Sequence, residues 1–114
     1  MISFIVPGLN EKKNIISTII EIENSCKTSK LLDYEILFVD DGSTDGSSFE
    51  VEKYESELKK NIKIIRNKKN YGYGASIKIG ASNATKKNIC WVPADNSHPS
   101  SEIAKLISSI NKFD

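Results

Sequence analysis

The sequence YEILFVDDGSTDGS, which runs from Tyr34 to Ser47, decides the fold of this chain. Its first six residues are rich in β-branched and aromatic side chains, and such a run predicts a buried strand. Its two glycines then allow a sharp turn, and Asp45 or Ser47 can accept hydrogen bonds from the first amides of a helix. The stretch therefore predicts a strand, an acidic turn and a helix in succession.

The acidic turn allows three interpretations. Carboxylates at the carboxyl end of a parallel strand lie where open α/β sheets bind ligands, so Asp40 and Asp41 are candidates for holding a nucleoside. Taken alone, the turn favours a purely structural role, in which Asp and Ser cap the helix. A third interpretation is a calcium-binding EF-hand loop, but such a loop needs a helix before it and this one follows a predicted strand. The ligands of that loop would be Asp41, Ser43, Asp45, Gly46 and Glu52.

Composition limits the class of protein. The chain has 114 residues, 39% hydrophobic and 27% charged, which predicts one globular domain or part of one. A net charge of +1 argues against nucleic acid as a partner. No apolar run approaches the length of a membrane span, and no leader sequence is recognised. Cys26 and Cys90 are far apart in sequence, which favours two thiols in a reducing cytoplasm but leaves a disulfide open.

Apolar periodicity predicts four strands and four helices in alternation. The strands cover residues 2–6, 34–39, 62–66 and 89–92, and the helices cover residues 10–26, 47–58, 75–84 and 99–112. Alternation of this kind predicts a parallel sheet with right-handed crossovers. In the order 3-2-1-4, the loops at 7–11 and 93–99 would meet at a switch point beside the acidic turn.

The same periodicity predicts which side chains are buried and which cap helices. Asn10 is the predicted cap of the first helix, and Trp91 is a predicted core residue. Three of the predicted helices have an apolar inner face. The side chains expected there are Ile15, Ile16, Ile19, Ile20 and Ile22 on the first helix, Phe49, Val51, Tyr54 and Leu58 on the second, and Ile103, Leu106, Ile107 and Ile110 on the fourth.

The absence of two glycine motifs argues against two common nucleotide-binding classes. The chain has neither a P-loop nor a G-x-G-x-x-G motif after its first strand. The glycines at 70–74 and Gly80 suit either the approach of backbone amides to a phosphate or close packing of a helix on a sheet. Both interpretations of these glycines remain open at the level of sequence.

Four motifs together resemble family 2 glycosyltransferases of the GT-A fold: VPGLNE at 6–11, VDDGSTDGS at 39–47, NYGYGAS at 70–76 and PADNSHP at 93–99. The likeness is greatest to the polyprenyl-phosphate sugar transferase branch, which includes dolichol-phosphate mannose synthases. It implies a three-layer, Rossmann-like α/β fold with a mostly parallel sheet. Residues 1–114 would form the N-terminal, nucleotide-sugar-binding portion of a truncated GT-A domain.

The resemblance also implies a donor site and a divalent cation. Asp95 would bind Mg²⁺ or Mn²⁺, as the last residue of the D-x-D motif of the family. Pro93 replaces the first aspartate of that motif, which would weaken metal binding because proline offers no side-chain oxygen. The residues implied to bind the nucleotide sugar are Pro7, Leu9, Glu11, Val39, Asp41, Ala94 and Asp95.

The implied function is transfer of a sugar from a UDP- or GDP-linked donor to an acceptor such as a polyprenyl phosphate. In the family, the acceptor half and its catalytic base follow the segment seen here, so no catalytic residue is identified and no transfer is expected from this chain alone. A second polypeptide could supply that half, in the cytoplasm or at the cytoplasmic face of a membrane. The alternatives are a non-catalytic nucleotide-binding or assembly module and a nucleotidyltransferase.

Overall fold

The computed structural model describes residues 1–58 and 61–112. Strands and helices alternate along the chain, as the apolar pattern predicts. The elements in chain order are β1 (Ile2–Gly8), α1 (Ile15–Thr28), β2 (Tyr34–Asp40), α2 (Ser47–Leu58), β3 (Ile62–Arg66), α3 (Tyr73–Asn83), β4 (Asn88–Trp91) and α4 (Ser100–Lys112).

The four strands form one parallel sheet in the order β3-β2-β1-β4. This is the order 3-2-1-4 for which the sequence placed a switch point between the first and fourth strands, and the predicted α/β class with a parallel sheet is confirmed. β1 and β2 pair along their whole length, from Ile2 beside Tyr34 to Gly8 beside Asp40. The strand order reverses between β1 and β4, which places a switch point at the carboxyl ends of these central strands.

Helices cover both faces of the sheet and give it three layers. On one face, Phe4 and Phe38 are buried in a core to which α1, α2 and α4 all contribute. On the other face, Ile5 and Leu37 are buried beneath α3. Alternate residues of a strand point to opposite faces, so the mainly apolar sequences of β1 and β2 suit burial on both sides.

Gly80 lets α3 approach the sheet closely. A Cβ atom at this position would lie 2.4 Å from Cγ2 of Ile5 and 3.1 Å from Cγ2 of Val39. Both distances are below ordinary van der Waals contact, so a larger residue would push the helix away from the sheet. For Gly80, the packing interpretation is therefore the correct one.

Element boundaries differ from the sequence prediction at two loops that matter for the site. β1 continues through Pro7 to Gly8, because their carbonyl oxygens accept hydrogen bonds from the amides of Ala94 and Asp41. The first helix begins at Ile15, five residues later than predicted. The prediction that Asn10 caps this helix is wrong: Asn10 has a φ of 55°, and its side chain binds the acidic turn instead.

Several side chains predicted to be buried are exposed. Trp91 is 55% exposed because β4 is an edge strand and α3 packs over β1 and β2 rather than over β4. Four further apolar residues of the predicted inner faces lie on helix flanks in contact with solvent: Ile20, Phe49, Leu58 and Leu106. The predicted apolar face of each helix is therefore wider than the face that is buried, although the predicted residues between these four are turned toward the core.

Candidate functional site

The loops after β1, β2 and β4 meet at the carboxyl edge of the sheet. The amide of Asp41 donates to the carbonyl oxygen of Gly8 at 3.0 Å, and the amide of Ala94 donates to that of Pro7 at 3.2 Å. The end of β1 is therefore hydrogen-bonded to the chain that follows both neighbouring strands. This convergence is what the strand order predicts.

Side-chain hydrogen bonds join the acidic turn to the loop after β1. The amide of Asn10 donates to Oγ of Ser43 at 2.8 Å, and the amide of Thr44 donates to Oδ1 of Asn10 at 2.9 Å. The amide of Lys12 donates to Oδ2 of Asp45 at 3.0 Å. These bonds fix one loop against the other, and they explain why Asn10 takes a left-handed backbone conformation.

Two of the three aspartates in the turn have a structural role. Oδ1 of Asp40 accepts a hydrogen bond from the amide of Ser43 at 2.8 Å, which closes the turn. Oδ1 of Asp45 accepts one from the amide of Ser47 at 3.0 Å, at the first residue of α2. The capping interpretation is correct for Asp45, and the nucleoside-binding interpretation loses support for Asp40.

The EF-hand interpretation is wrong, because the element before the turn is a strand. The carboxylate of Glu52, which would complete the calcium site, instead pairs with Arg66 at 2.6 Å. Across residues 1–58 and 61–112, no three His, Cys, Asp or Glu side chains come together to hold a metal ion.

Asp41 differs from the other two aspartates because its carboxylate faces the loop before α3. Oδ1 accepts hydrogen bonds from Nδ2 of Asn67 at 2.9 Å and the amide of Tyr71 at 2.8 Å, and Oδ2 accepts one from the amide of Gly72 at 3.0 Å. Burial opposes the charged form of Asp41, but these bonds, with one from Ser76, outweigh burial and hold the pKa of the carboxyl below its usual value. Asp41 is therefore a buried, ionised carboxylate at neutral pH.

A cavity of about 290 Å³ opens directly beside Asp41. A larger groove, of about 470 Å³, lies between the end of α1 and α4 and is lined mainly by serine and threonine. The smaller cavity is the better candidate for a functional site, because it lies at the switch point and contains a carboxylate with a shifted pKa. Its lining residues are Pro7, Gly8, Leu9, Asp41, Asn70, Gly72, Tyr73 and Ser76.

The structure brings together three of the seven predicted binding residues in this cavity: Pro7, Leu9 and Asp41. Val39 is fully buried in the core beneath α3, so its side chain lies outside the lining. Ala94 is also buried, and its carbonyl oxygen accepts a hydrogen bond from Thr18. Glu11 lies just outside the cavity, where Oε1 is 3.4 Å from Nδ2 of Asn14.

Asp95 lies on the exposed loop after β4, where Oδ1 accepts a hydrogen bond from the amide of Ser97 at 3.1 Å. Pro93 offers no side-chain oxygen, so the loop presents one carboxylate where two would make a better cation site. Mg²⁺ and Mn²⁺ prefer oxygen ligands and are often held by one carboxylate together with substrate phosphates. The residues present therefore fit a cation that arrives with a diphosphate.

The sequence interpretation missed several lining residues. Asn70 and Gly72 belong to a stretch considered for phosphate binding, but their link to Asp41 depends on the crossover from β3 to α3. There is a steric reason for glycine at position 8, because a Cβ atom there would lie 2.6 Å from Cβ of Ala94. Tyr73 and Ser76 carried no sequence signal beyond their place in the NYGYGAS motif.

Comparison with known proteins identifies the family. The model described as Glycosyl transferase family 2 matches residues 3–114, so the chain belongs to glycosyl transferase family 2. The uncharacterized protein MJ0544 of Methanocaldococcus jannaschii is 33% identical over 110 residues. That match covers 93% of this chain and 45% of MJ0544, so the chain spans less than half the length of this relative.

Solved structures show the same fold. Staphylococcus aureus TarS, residues 1–349, matches with a TM-score of 0.78 and 25% identity over 97% of this chain and 32% of that one. TarS has also been solved in complex with UDP-GlcNAc and with UDP. The mannosyltransferase PcManGT from Pyrobaculum calidifontis, in complex with GDP-Man and Mn²⁺, matches in fold with a TM-score of 0.72 and 22% identity, over 82% of this chain and 27% of that one. The sheet described here is thus that of GT-A glycosyltransferases.

None of the helices within residues 1–58 and 61–112 is long and apolar enough to cross a membrane.

Proposed function

We propose that the cavity beside Asp41 binds the nucleoside of a nucleotide sugar, and that residues 1–114 are the donor-binding portion of a family 2 glycosyltransferase. The observation that carries this proposal is a buried, ionised carboxylate in a cavity of about 290 Å³ at the switch point of the sheet. Family membership supports it, as does the structural likeness to TarS, which has been solved with UDP-GlcNAc.

The cavity has walls suited to a base and ribose. Pro7 and Leu9 present apolar surface from the end of β1, and Asp41 supplies acceptor oxygens for a base N–H or a ribose hydroxyl. The backbone amides that bind Asp41 are fixed, whereas the hydroxyl of Ser76 can rotate. A ligand N–H can therefore replace the Ser76 hydroxyl on Asp41 without disturbing the loop.

Glu11, Val39 and Ala94 belong to the same proposed donor site by family resemblance. Val39 and Ala94 are both buried, which supports an indirect role in which they shape the loops around Pro7 and Asp41. Cγ of Glu11 lies at the cavity edge, 3.7 Å from where a Cβ of Gly8 would be, and Glu11 can contact a ligand that extends beyond the opening.

Asp95 is the proposed ligand of Mg²⁺ or Mn²⁺. A bound divalent cation supplies electrostatic stabilisation to a departing nucleoside diphosphate. Asp95 presents an exposed carboxylate, and Pro93 adds no second oxygen. We therefore expect the chain to bind the cation weakly by itself and more tightly when a diphosphate shares it.

The proposed reaction of the whole enzyme is sugar transfer to a polyprenyl phosphate, in the cytoplasm or at the cytoplasmic face of a membrane. The four motifs at 6–11, 39–47, 70–76 and 93–99 together support this branch of the family. The acceptor half would come from an additional segment of the same polypeptide or from a second polypeptide, and it would cover the open edge of the sheet. The exposed apolar side chains of Ile89, Trp91 and Leu106 at that edge support such a cover, because an uncovered apolar edge strand favours aggregation.

Calorimetric titration of the purified chain with UDP and GDP, each with and without Mn²⁺, tests the donor site. We expect saturable binding of at least one diphosphate and tighter binding with Mn²⁺. Asp95→Asn should remove the effect of Mn²⁺ and leave the metal-free affinity unchanged, and Glu57→Gln, on the outer surface of α2, should behave as wild type. No saturable binding of either diphosphate would contradict the proposal.

A further inference from the structure

We propose that Tyr73 is a specificity-determining residue of the donor site, which contacts the donor between its nucleoside and its diphosphate. This inference rests on the function proposed above and assigns a role to a residue outside the predicted binding set. It follows from the position of Tyr73 between two parts of the site, the cavity beside Asp41 and the loop that carries Asp95.

The ring of Tyr73 belongs to the cavity. Tyr73 is the first residue of α3 and is half-exposed, and it is the one aromatic residue among the described residues that line the cavity. An aromatic side chain there offers a flat apolar surface to a base or ribose at little cost in conformational entropy, because it has two rotatable bonds.

The hydroxyl of Tyr73 reaches toward the loop after β4. The Trp91 side chain and the charge of Asp95 both influence its phenol, so the hydroxyl lies near the end of β4 and the loop that follows it. Burial, followed by the charge of Asp95, raises the pKa of Tyr73, whereas the interaction with Trp91 lowers it; the net effect keeps the phenol protonated at neutral pH. Its hydrogen can therefore be donated to a phosphate oxygen or a sugar hydroxyl of a ligand beside Asp95.

A donor that spans the site must pass Tyr73. Its nucleoside would lie beside Asp41 and its diphosphate beside Asp95; Tyr73 lines the first region and is close enough to the second for the charge of Asp95 to act on its phenol. Tyr73 can thus favour a nucleoside diphosphate over a bare nucleoside through its hydroxyl, while its ring contributes to nucleoside affinity. The effect of the hydroxyl on diphosphate binding and the effect of the ring on nucleoside binding should therefore be separable by mutation.

Tyr71 provides a matched control two residues away. Its ring is similarly exposed but lies against Lys69, whose Nζ is 5.9 Å from the ring centroid, and its side chain is outside the cavity lining. Only the backbone amide of Tyr71 contributes to the site, through Asp41. Removal of the Tyr71 ring should therefore leave binding unchanged.

The experiment compares wild type with Tyr73→Phe, Tyr73→Ala and Tyr71→Ala. Titrations followed by NMR measure the affinity of UDP, GDP, uridine and guanosine with Mg²⁺ present, and thermal unfolding checks each variant. We expect Tyr73→Phe to weaken binding of the preferred diphosphate about fivefold or more, as for one lost hydrogen bond, and to leave its nucleoside within about twofold. Tyr73→Ala should weaken both, and Tyr71→Ala neither.

The outcomes separate this inference from the proposed function. If wild type binds no nucleotide, both the donor site and the role of Tyr73 are wrong. If wild type binds a diphosphate and Tyr73→Phe binds it equally well, the donor site stands and the role of the Tyr73 hydroxyl is wrong. If Tyr73→Ala fails to fold, Tyr73→Leu replaces it, and wild-type nucleoside affinity in that variant would overturn the role of the ring.

Discussion

Oδ1 of Asp41 lies 2.8 Å from the backbone nitrogen of Tyr71, so one carboxylate joins the end of β2 to the chain that begins α3. The same carboxylate lines the candidate donor cavity. The proposed donor binding and the packing of this loop would therefore depend on the same atoms. From the sequence, Asp41 was a candidate for holding a nucleoside, and its hydrogen bonds show that it also holds the loop before α3.

Asp41→Asn should destabilise the fold as well as weaken nucleotide binding. The amide group of Asn has an NH₂ where Asp41 accepts hydrogen bonds from backbone amides, so at least one donor loses its partner. We expect a loss on the order of 1.5–3 kcal/mol in the free energy of unfolding, measured by urea denaturation. Asp95→Asn is the control, because an exposed carboxylate should change stability by less than about 0.5 kcal/mol. Equal stabilities of the two variants would contradict the structural role of Asp41.

Gly42→Ala should cost more stability than Gly46→Ala. Both glycines have positive φ values, 85° and 87°, so alanine is strained at either position. Only at Gly42 would the new Cβ atom meet backbone, 2.9 Å from the carbonyl carbon of Lys69, whereas nothing lies within 4 Å at Gly46. Urea denaturation should show a difference of about 1 kcal/mol or more between the variants. A larger loss for Gly46→Ala would mean that the loop before α3 is not packed on the turn.

Glu35 should make stability depend on acid pH. Burial alone would raise the pKa of Glu35, but hydrogen bonds from Ser3, Thr85 and Lys63 outweigh it and lower the pKa from 4.5 to about 2. Because the folded pKa is the lower one, the stabilisation is complete above about pH 4.5 and is lost as the pH falls toward 2.

Glu35→Gln should therefore lose stability at pH 7, on the order of 2–3 kcal/mol, and show a smaller decline between pH 4.5 and 2 than wild type. Glu57→Gln, at an exposed position, should follow the wild-type curve. The measurement is chemical denaturation at a series of pH values. Parallel curves for wild type and Glu35→Gln would show that Glu35 is not held ionised by its partners.

Trp91→Ser should be tolerated, whereas Val92→Ser should not. Trp91 is 55% exposed and Val92 is 2% exposed, although they are adjacent in sequence. We expect Val92→Ser to cost about 2–4 kcal/mol, and Trp91→Ser less than about 1 kcal/mol while reducing self-association in sedimentation experiments. Comparable losses would place Trp91 in the core and leave the sheet edge without an exposed apolar patch.

The fold followed from the sequence more completely than the site. The alternation of strands and helices was predictable because β1 and β2 consist mainly of apolar residues and the segments that follow them have helical periodicity. The exposure of Trp91 was not, since it depends on where α3 crosses the sheet rather than on local pattern. Likewise, asparagine often caps helices, but the hydrogen-bond partners of Asn10 are Ser43 and Thr44, more than thirty residues away in the sequence.

Amide chemical shift mapping with UDP and GDP in the presence of Mg²⁺ shows whether the loops after β1, β2 and β4 form one nucleoside diphosphate site. We predict saturable shifts with a single affinity for the amides of Leu9, Gly72 and Asp95, together with Glu11 and Asp41. Mg²⁺ avoids the paramagnetic broadening that Mn²⁺ would cause. Shifts confined to the outer faces of α2 and α4, or different affinities at the three loops, would contradict this prediction.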